Sequence, residues 1–164
     1  MSATIQPMVV TLPSFTVVGI SYEANLNEII EQQLGKSAHR TLQDRTGELP
    51  SRLNDHVYLI QVYPKKKGFN PHVDAFTQVI GYVVPEGTTP PEGMSARTLP
   101  EKQYVKMTHS GLESELGRTY DLLYGPWMQQ SERCPDGFDF EIWDERYKPE
   151  QANNEIDVFV ALFK

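Results

Sequence analysis

Apolar and polar residues alternate most clearly in the last quarter of the chain, where Phe138, Phe140 and Ile142 fall on one side of a strand and Asp139, Glu141 and Trp143 on the other. A second strand-like run, Ile156 to Phe163, follows. Near the amino terminus, Met8 to Ile20 is rich in Val, Thr and Phe and predicts a strand with an edge or bend at Pro13. A helix is expected next. Asn25 to Glu28 has capping-box spacing, and Leu26, Ile29, Ile30 and Leu34 share a helical face, with Gly35 a weakening or stop point. The polar segment Lys36 to Asn54 supports no assignment, whereas His56 to Tyr63 and Phe76 to Val84 read as two strands.

The Pro- and Gly-rich stretch Pro85 to Gly93 divides the chain, and beyond it the same order returns. Lys102 to Thr108 reads as a strand. Ser110 to Glu113 repeats the capping-box spacing ahead of a helical stripe of Leu112, Leu116, Tyr120, Leu123 and Trp127, which Gly125-Pro126 is expected to bend or end. The result is an α+β fold of duplicated β-α-β-β units in one domain, 1–164, with a first half at 8–84, a linker at 85–101 and a second half at 102–164. The helix starts lie about 86 residues apart. Two such units can form a curved, largely antiparallel sheet with both helices on one face and a cleft along the pseudo-twofold seam.

Composition removes several classes. A single Cys134 allows no intrachain disulfide, which favours a reducing, cytoplasmic setting. No secretory pattern opens the chain and no apolar run approaches the roughly 18 residues of a membrane helix. The net charge of −7 opposes direct nucleic-acid binding, and the basic cluster Lys65-Lys66-Lys67 reads as a solvated loop. Nucleophile-elbow, zinc-spacing and phosphate-loop motifs are missing, so no metal, cofactor or catalytic residue is assigned.

The order of elements and several motifs resemble the GyrI-like effector-binding domain, the ligand-sensing module of some MerR- and AraC-type activators and of stand-alone proteins. The resemblance rests on Phe15 to Ile20, Val79 to Val84, Pro91 to Met94 leading into Tyr104 to Gly111, and Phe140 to Tyr147 with Asn154 to Val160. Together these span nearly the whole chain. The resemblance implies a cavity for hydrophobic, often cationic, aromatic compounds, with Glu141 matching the strand glutamate that supplies counter-charge. Trp143 stands where the family often has Tyr, and the usual proline near the end of the final strand is replaced by Val160-Ala161-Leu162.

A carboxylate beside aromatic faces suits a large flat cation, because cation-π attraction adds to apolar burial. The expected ligand-binding residues are Glu141 as counter-charge and Trp143, Tyr58, Tyr120, Trp127 and Phe159 as walls. Asp157 and Glu155 read as solvated or cross-strand pairs, and His109 as a neighbour of a helix cap. The leading reading is a non-enzymatic small-molecule binding module for amphipathic, cationic aromatic compounds, acting as a sensor or sequestering protein. A hydrolase of strained cyclopropane-containing compounds using Glu141 is the second reading, and a topoisomerase-interacting protein the third. No helix-turn-helix precedes the first strand, so a role in transcription would need a separate regulator as partner. Exposed strand edges leave a homodimer open.

Overall fold

The computed structural model describes residues 6–164; residues 1–5, within the stretch read above for a targeting pattern, lie outside the described residues. Proline has no amide donor, and Pro13 breaks the first apolar run into two strands instead of bending one. Strand β1 (Met8–Leu12) pairs with β6 (Lys102–Ser110), while β2 (Phe15–Ala24) pairs with β4 (Phe76–Val84) and with β5 (Ser95–Leu99). With β3 (Val57–Val62), β7 (Pro135–Trp143) and β8 (Glu155–Leu162), the described residues form one antiparallel sheet of order β1-β6-β8-β7-β3-β4-β2-β5.

This order is symmetric about the β3–β7 pair, where Tyr58 faces Ile142 and Ile60 faces Phe140. The duplicated β-α-β-β units are present, but each carries an extra leading strand that the sequence reading left out. The 85–101 segment holds β5, so it is more than a linker. Each leading strand is handed to the opposite unit: β1 joins β6 of the second half and β5 joins β2 of the first.

Helices α1 (Leu26–Glu31) and α2 (Leu34–Asp44) follow β2. The capping box forms as expected, with Asn25 Oδ1 accepting from the Glu28 amide at 2.8 Å and Glu28 Oε1 accepting from the Asn25 amide at 3.1 Å. Gly35 does not stop the helix. The break falls at Gln33, whose φ of 52° is left-handed, and α2 then runs through the unassigned polar segment with Ala38 and Leu42 buried. The second expected capping box is absent: Ser110 belongs to the β6–β8 ladder opposite Glu155, and the turn at Glu113–Glu115 starts without a side-chain cap. From there α3 (Leu116–Leu122) passes through a wider turn at Leu123–Trp127 into α4 (Met128–Ser131). Pro126 loosens this helix without ending it, because the wide turn absorbs its missing donor.

The strand period gives the sheet two apolar faces. Val18, Ile80, Val158 and Val160 pack with Ala38, Leu42, Leu123 and Met128 of the helices. The opposite face carries Val17, Ile60, Tyr104, Phe140 and Phe159 with Phe15, Tyr58 and Phe138. Phe15 on β2 reaches Phe140 on β7 with ring centroids 5.4 Å apart, although β4 and β3 lie between them. A flat sheet would separate those strands by about 14 Å, so the sheet curls over this face. The short connections Pro13-Ser14 and Pro100-Glu101 each link one end of the strand order to the other and hold that curl.

Gly19 and Gly81 face each other across β2 and β4. A Cβ built at Gly81 would lie 2.2 Å from the Val18 carbonyl oxygen, and one at Gly19 would lie 1.9 Å from that of Ile80. Gly81→Ala is therefore expected to lower stability by about 3 kcal/mol or to prevent folding, measured by urea denaturation. The Tyr104 hydroxyl is buried without a hydrogen-bond partner among the described residues. Tyr104→Phe is expected to leave the unfolding free energy unchanged or raise it by about 1 kcal/mol, checked by the same measurement.

Candidate functional site

On β7, Asp139, Glu141 and Trp143 turn towards the helices, while Phe138, Phe140 and Ile142 turn into the curl. Glu141 is 3% exposed and Asp139 wholly buried. The Glu141 carboxylate accepts the Tyr120 hydroxyl of α3 at 2.5 Å on Oε2 and the Trp143 indole N–H at 2.9 Å on Oε1. Asp139 accepts three donors: Gln61 Nε2 at 2.7 Å on Oδ1, and the hydroxyls of Tyr63 at 2.7 Å and Tyr124 at 2.6 Å on Oδ2. All five partners are neutral. Burying a carboxylate without a cation is costly, and neutral donors offset only part of that cost.

The electrostatics follow from this shell. Burial pushes Glu141 up to about 7, against the pull of the Tyr120 and Trp143 hydrogen bonds, with Asp139 and Glu113 adding to the rise. Burial likewise pushes Asp139 up to about 6, opposed by Tyr124, Tyr63 and Gln61. Tyr63, Tyr120 and Tyr124 are raised well above the usual phenol range, first by burial and then by the neighbouring carboxylates, so they remain donors.

Trp143 separates the acid pair from an open cleft of about 480 Å³ at the end of the β3–β7 seam, lined by His39, Gln43, Asp55, Val57, Trp143 and Tyr147 among others. Its ring stacks on Tyr147 with centroids 4.5 Å apart and planes 2° from parallel, and His39 of α2 meets it edge-on at 5.0 Å. Burial lowers the pKa of His39, favouring the neutral ring. The Tyr147 hydroxyl donates to Glu113 Oε2 at 2.6 Å, fixing the slab to the start of the second helical segment.

The residues expected to surround Glu141 are only partly brought together. Trp143 and Tyr120 bond to it, and Trp127 packs against the helix-side core with no hydrogen bond to either acid. Tyr58 and Phe159 lie on the opposite face of the sheet, stacked with Phe140 at 5.8 and 4.6 Å. Register explains the correction: Leu59 and Val158 are the direct neighbours of Glu141, so the residues one step along point the other way. Instead of opening on a ring-lined hollow, the carboxylate is closed over by Trp143 and Tyr120. Asp157 does form its cross-strand pair, accepting from Thr108 at 2.6 Å, and His109 bonds Leu112 and Thr119 beside the helix start.

Sequence reasoning missed Asp139, Gln61, Tyr63, Tyr124 and Tyr147 as members of the site. Asp139 shares the face of Glu141, and that row of two acids and an indole was the available signal. Tyr124 lies one helical turn beyond Tyr120, its ring stacked with that of Tyr120 at 6.4 Å, and the same spacing could have found it.

A family model described as integron-associated effector binding protein matches residues 8–162. The chain belongs to this family. It is 29% identical over 90 residues to the transcriptional regulator BrlR of Pseudomonas aeruginosa, a match covering 54% of this chain but 33% of that regulator. The chain thus spans about a third of the length of the curated relative it matches. Among solved structures, SAV2435 bound to tetraphenylphosphonium superposes with a TM-score of 0.69 at 12% identity, covering 96% of this chain and 94% of that one. The EcmrR C-terminal domain gives 0.66 at 12% identity over 99% of both chains. The GyrI-like, effector-binding fold anticipated from the motifs is the fold observed. Among the described residues no helix is long and apolar enough to cross a membrane.

Because Glu141 holds a proton in the folded state over a pH range where an unfolded carboxylate does not, its burial costs stability increasingly from pH ~4.5 upwards, reaching on the order of 3 kcal/mol above pH ~7. Relative to the wild type, Glu141→Gln is expected to gain stability as pH rises from 5 to 8. Thermal denaturation of both proteins across that range checks the sign.

Proposed function

We propose that the protein captures bulky hydrophobic cations at Glu141, with Trp143 as the movable wall between that carboxylate and the cleft. The observation that carries this reading is a buried acid pair whose hydrogen-bond partners are all neutral. A cation entering past the Trp143–Tyr147 slab supplies the missing counter-charge. The aromatic faces it meets add roughly 0.5 to 2 kcal/mol each according to desolvation, and apolar contact favours an organic ion over a metal. The tetraphenylphosphonium bound to the similarly folded SAV2435 supports the choice of ligand class. The match to a transcriptional regulator supports sensing as the use of the bound state, with a regulator as partner. Capture involves enclosure without bond making.

A second reading has one observation in its favour. Glu141, pushed up to about 7, keeps a proton available near neutrality, as acid-assisted opening of a strained ring requires. Incubation with cyclopropane-containing compounds and product analysis tests it, and turnover abolished by Glu141→Gln would replace the binding reading.

A bound cation replaces the proton on Glu141. Calorimetric titration with tetraphenylphosphonium is expected to show affinity rising about tenfold per pH unit below pH ~7 and levelling above it. Neutral triphenylphosphine oxide is expected to bind without this dependence, and Glu141→Gln to weaken the cation at least about tenfold at pH 8. Equal affinity for both compounds, unchanged by the substitution, would reject the counter-charge mechanism.

A further inference from the structure

The hydrogen bonds at the acid pair continue beyond its tyrosines. Gln61 on β3 gives one amide proton to Asp139 Oδ1 at 2.7 Å and the other to the Tyr120 hydroxyl at 3.2 Å, and that hydroxyl donates its own proton to Glu141 Oε2. An ionised carboxylate only accepts, so the Gln61 NH2 must face Asp139, leaving its carbonyl for Gln78 Nε2 at 2.9 Å. Gln78 then has its own carbonyl free for the Tyr22 hydroxyl. The chain therefore has one sense, with every donor pointing towards the acids. It crosses from β2 through β4 and β3 to β7, bringing groups of the first half into a site on the second.

We propose that Gln61 is a positioning residue for cation binding: its single amide joins both acids into one hydrogen-bonded unit, so that the first half of the chain sets how tightly Glu141 holds a cation. This rests on the cation-binding reading above. Gln61 and Gln78 are buried polar amides whose neighbours two residues along the same strands, Leu59 and Ile80, belong to the helix-side core, so these are positions where an apolar residue would pack without the need for partners. Gln61 uses both of its amide protons and its carbonyl in the chain, and Gln78 uses one proton and its carbonyl. Gln61 is also the one residue through which Asp139 and Tyr120 share a donor.

The groups that face Glu141 are Tyr120 on α3, Asp139 and Trp143 on β7, Glu113 before α3, Tyr63 after β3 and Tyr147 after β7, with His39 of α2 behind Trp143; Tyr124, in the wide turn after α3, acts on Asp139. Gln61 carries no charge. Removing it takes from Asp139 a bond that favours the ionised form, and from Tyr120 the donor that polarises its hydroxyl towards Glu141.

The test uses two measurements in a Trp127→Phe background, which leaves Trp143 as the one tryptophan of the two in the chain. Trp143 fluorescence is followed against pH without ligand, and tetraphenylphosphonium affinity is measured at pH 7 and 9. Gln61→Leu is expected to raise the fluorescence midpoint by about half a pH unit or more and to weaken the cation about threefold or more at pH 7, with less than about twofold change at pH 9, where the proton no longer competes. Gln78→Leu is expected to shift both in the same direction by less. A residue that only fills space would leave the fluorescence midpoint unmoved and would lower affinity equally at both pH values, and that result overturns the proposal. If Gln61→Leu does not fold, Gln78→Leu decides by the same criterion. A wild type that binds no tetraphenylphosphonium at either pH overturns the cation reading and this one with it, whereas bound cation with an unmoved midpoint overturns this one alone.

Discussion

Two carboxylates two residues apart on one strand, both removed from water, set the terms for the rest of the interior. An ionised acid in such a place needs either a cation or several donors, and this chain supplies donors from separate elements: Gln61 and Tyr63 from the β3 side, Tyr120 from α3, Tyr124 from the wide turn after it, and Trp143 from β7 itself. The helix that lies over the sheet is consequently fixed by polar contacts as well as by Leu123 and Met128 packing. The two acids differ in how firmly they are held. Asp139 has three donors, while Glu141 has two, both from aromatic side chains, one of which, Trp143, also lines the cleft.

The same arrangement explains why the cleft and the counter-charge are neighbours without being continuous. Trp143 is shared between them, donating its indole N–H to Glu141 while its ring lines the open space. A site closed by one of its own walls keeps water away from the acid between occupants. In the cation-binding reading proposed above, the cost is that an occupant competes with the indole as well as with the proton.

Much of the architecture was legible because strand period and turn chemistry act locally. Alternation placed Glu141 and Trp143 on one face, and the Asn25 capping box marked a helix start that the structure contains. What local signals could not carry was pairing over long distance. Nothing within Met8 to Ile20 indicates that the two sides of Pro13 join strands at opposite ends of the sheet, and nothing in Ser95 to Leu99 declares a partner in β2. Wall residues failed for the same reason. Tyr58 and Phe159 belong to the strands on either side of β7, but a one-residue step in register puts them behind the sheet. Gln61 and Tyr63 gave no signal at all, since their role exists only once β3 lies beside β7.

The exchange of leading strands between the two halves has a mechanical consequence. Each half contributes a strand to the other and is tied to it by a connector only two residues long, Pro13-Ser14 at one corner and Pro100-Glu101 at the other. Interlaced in this way, the halves cannot swing apart like a clamshell without tearing ladders at both margins. Under the binding reading proposed above, a guest is admitted by movement of side chains, within a frame that stays shut.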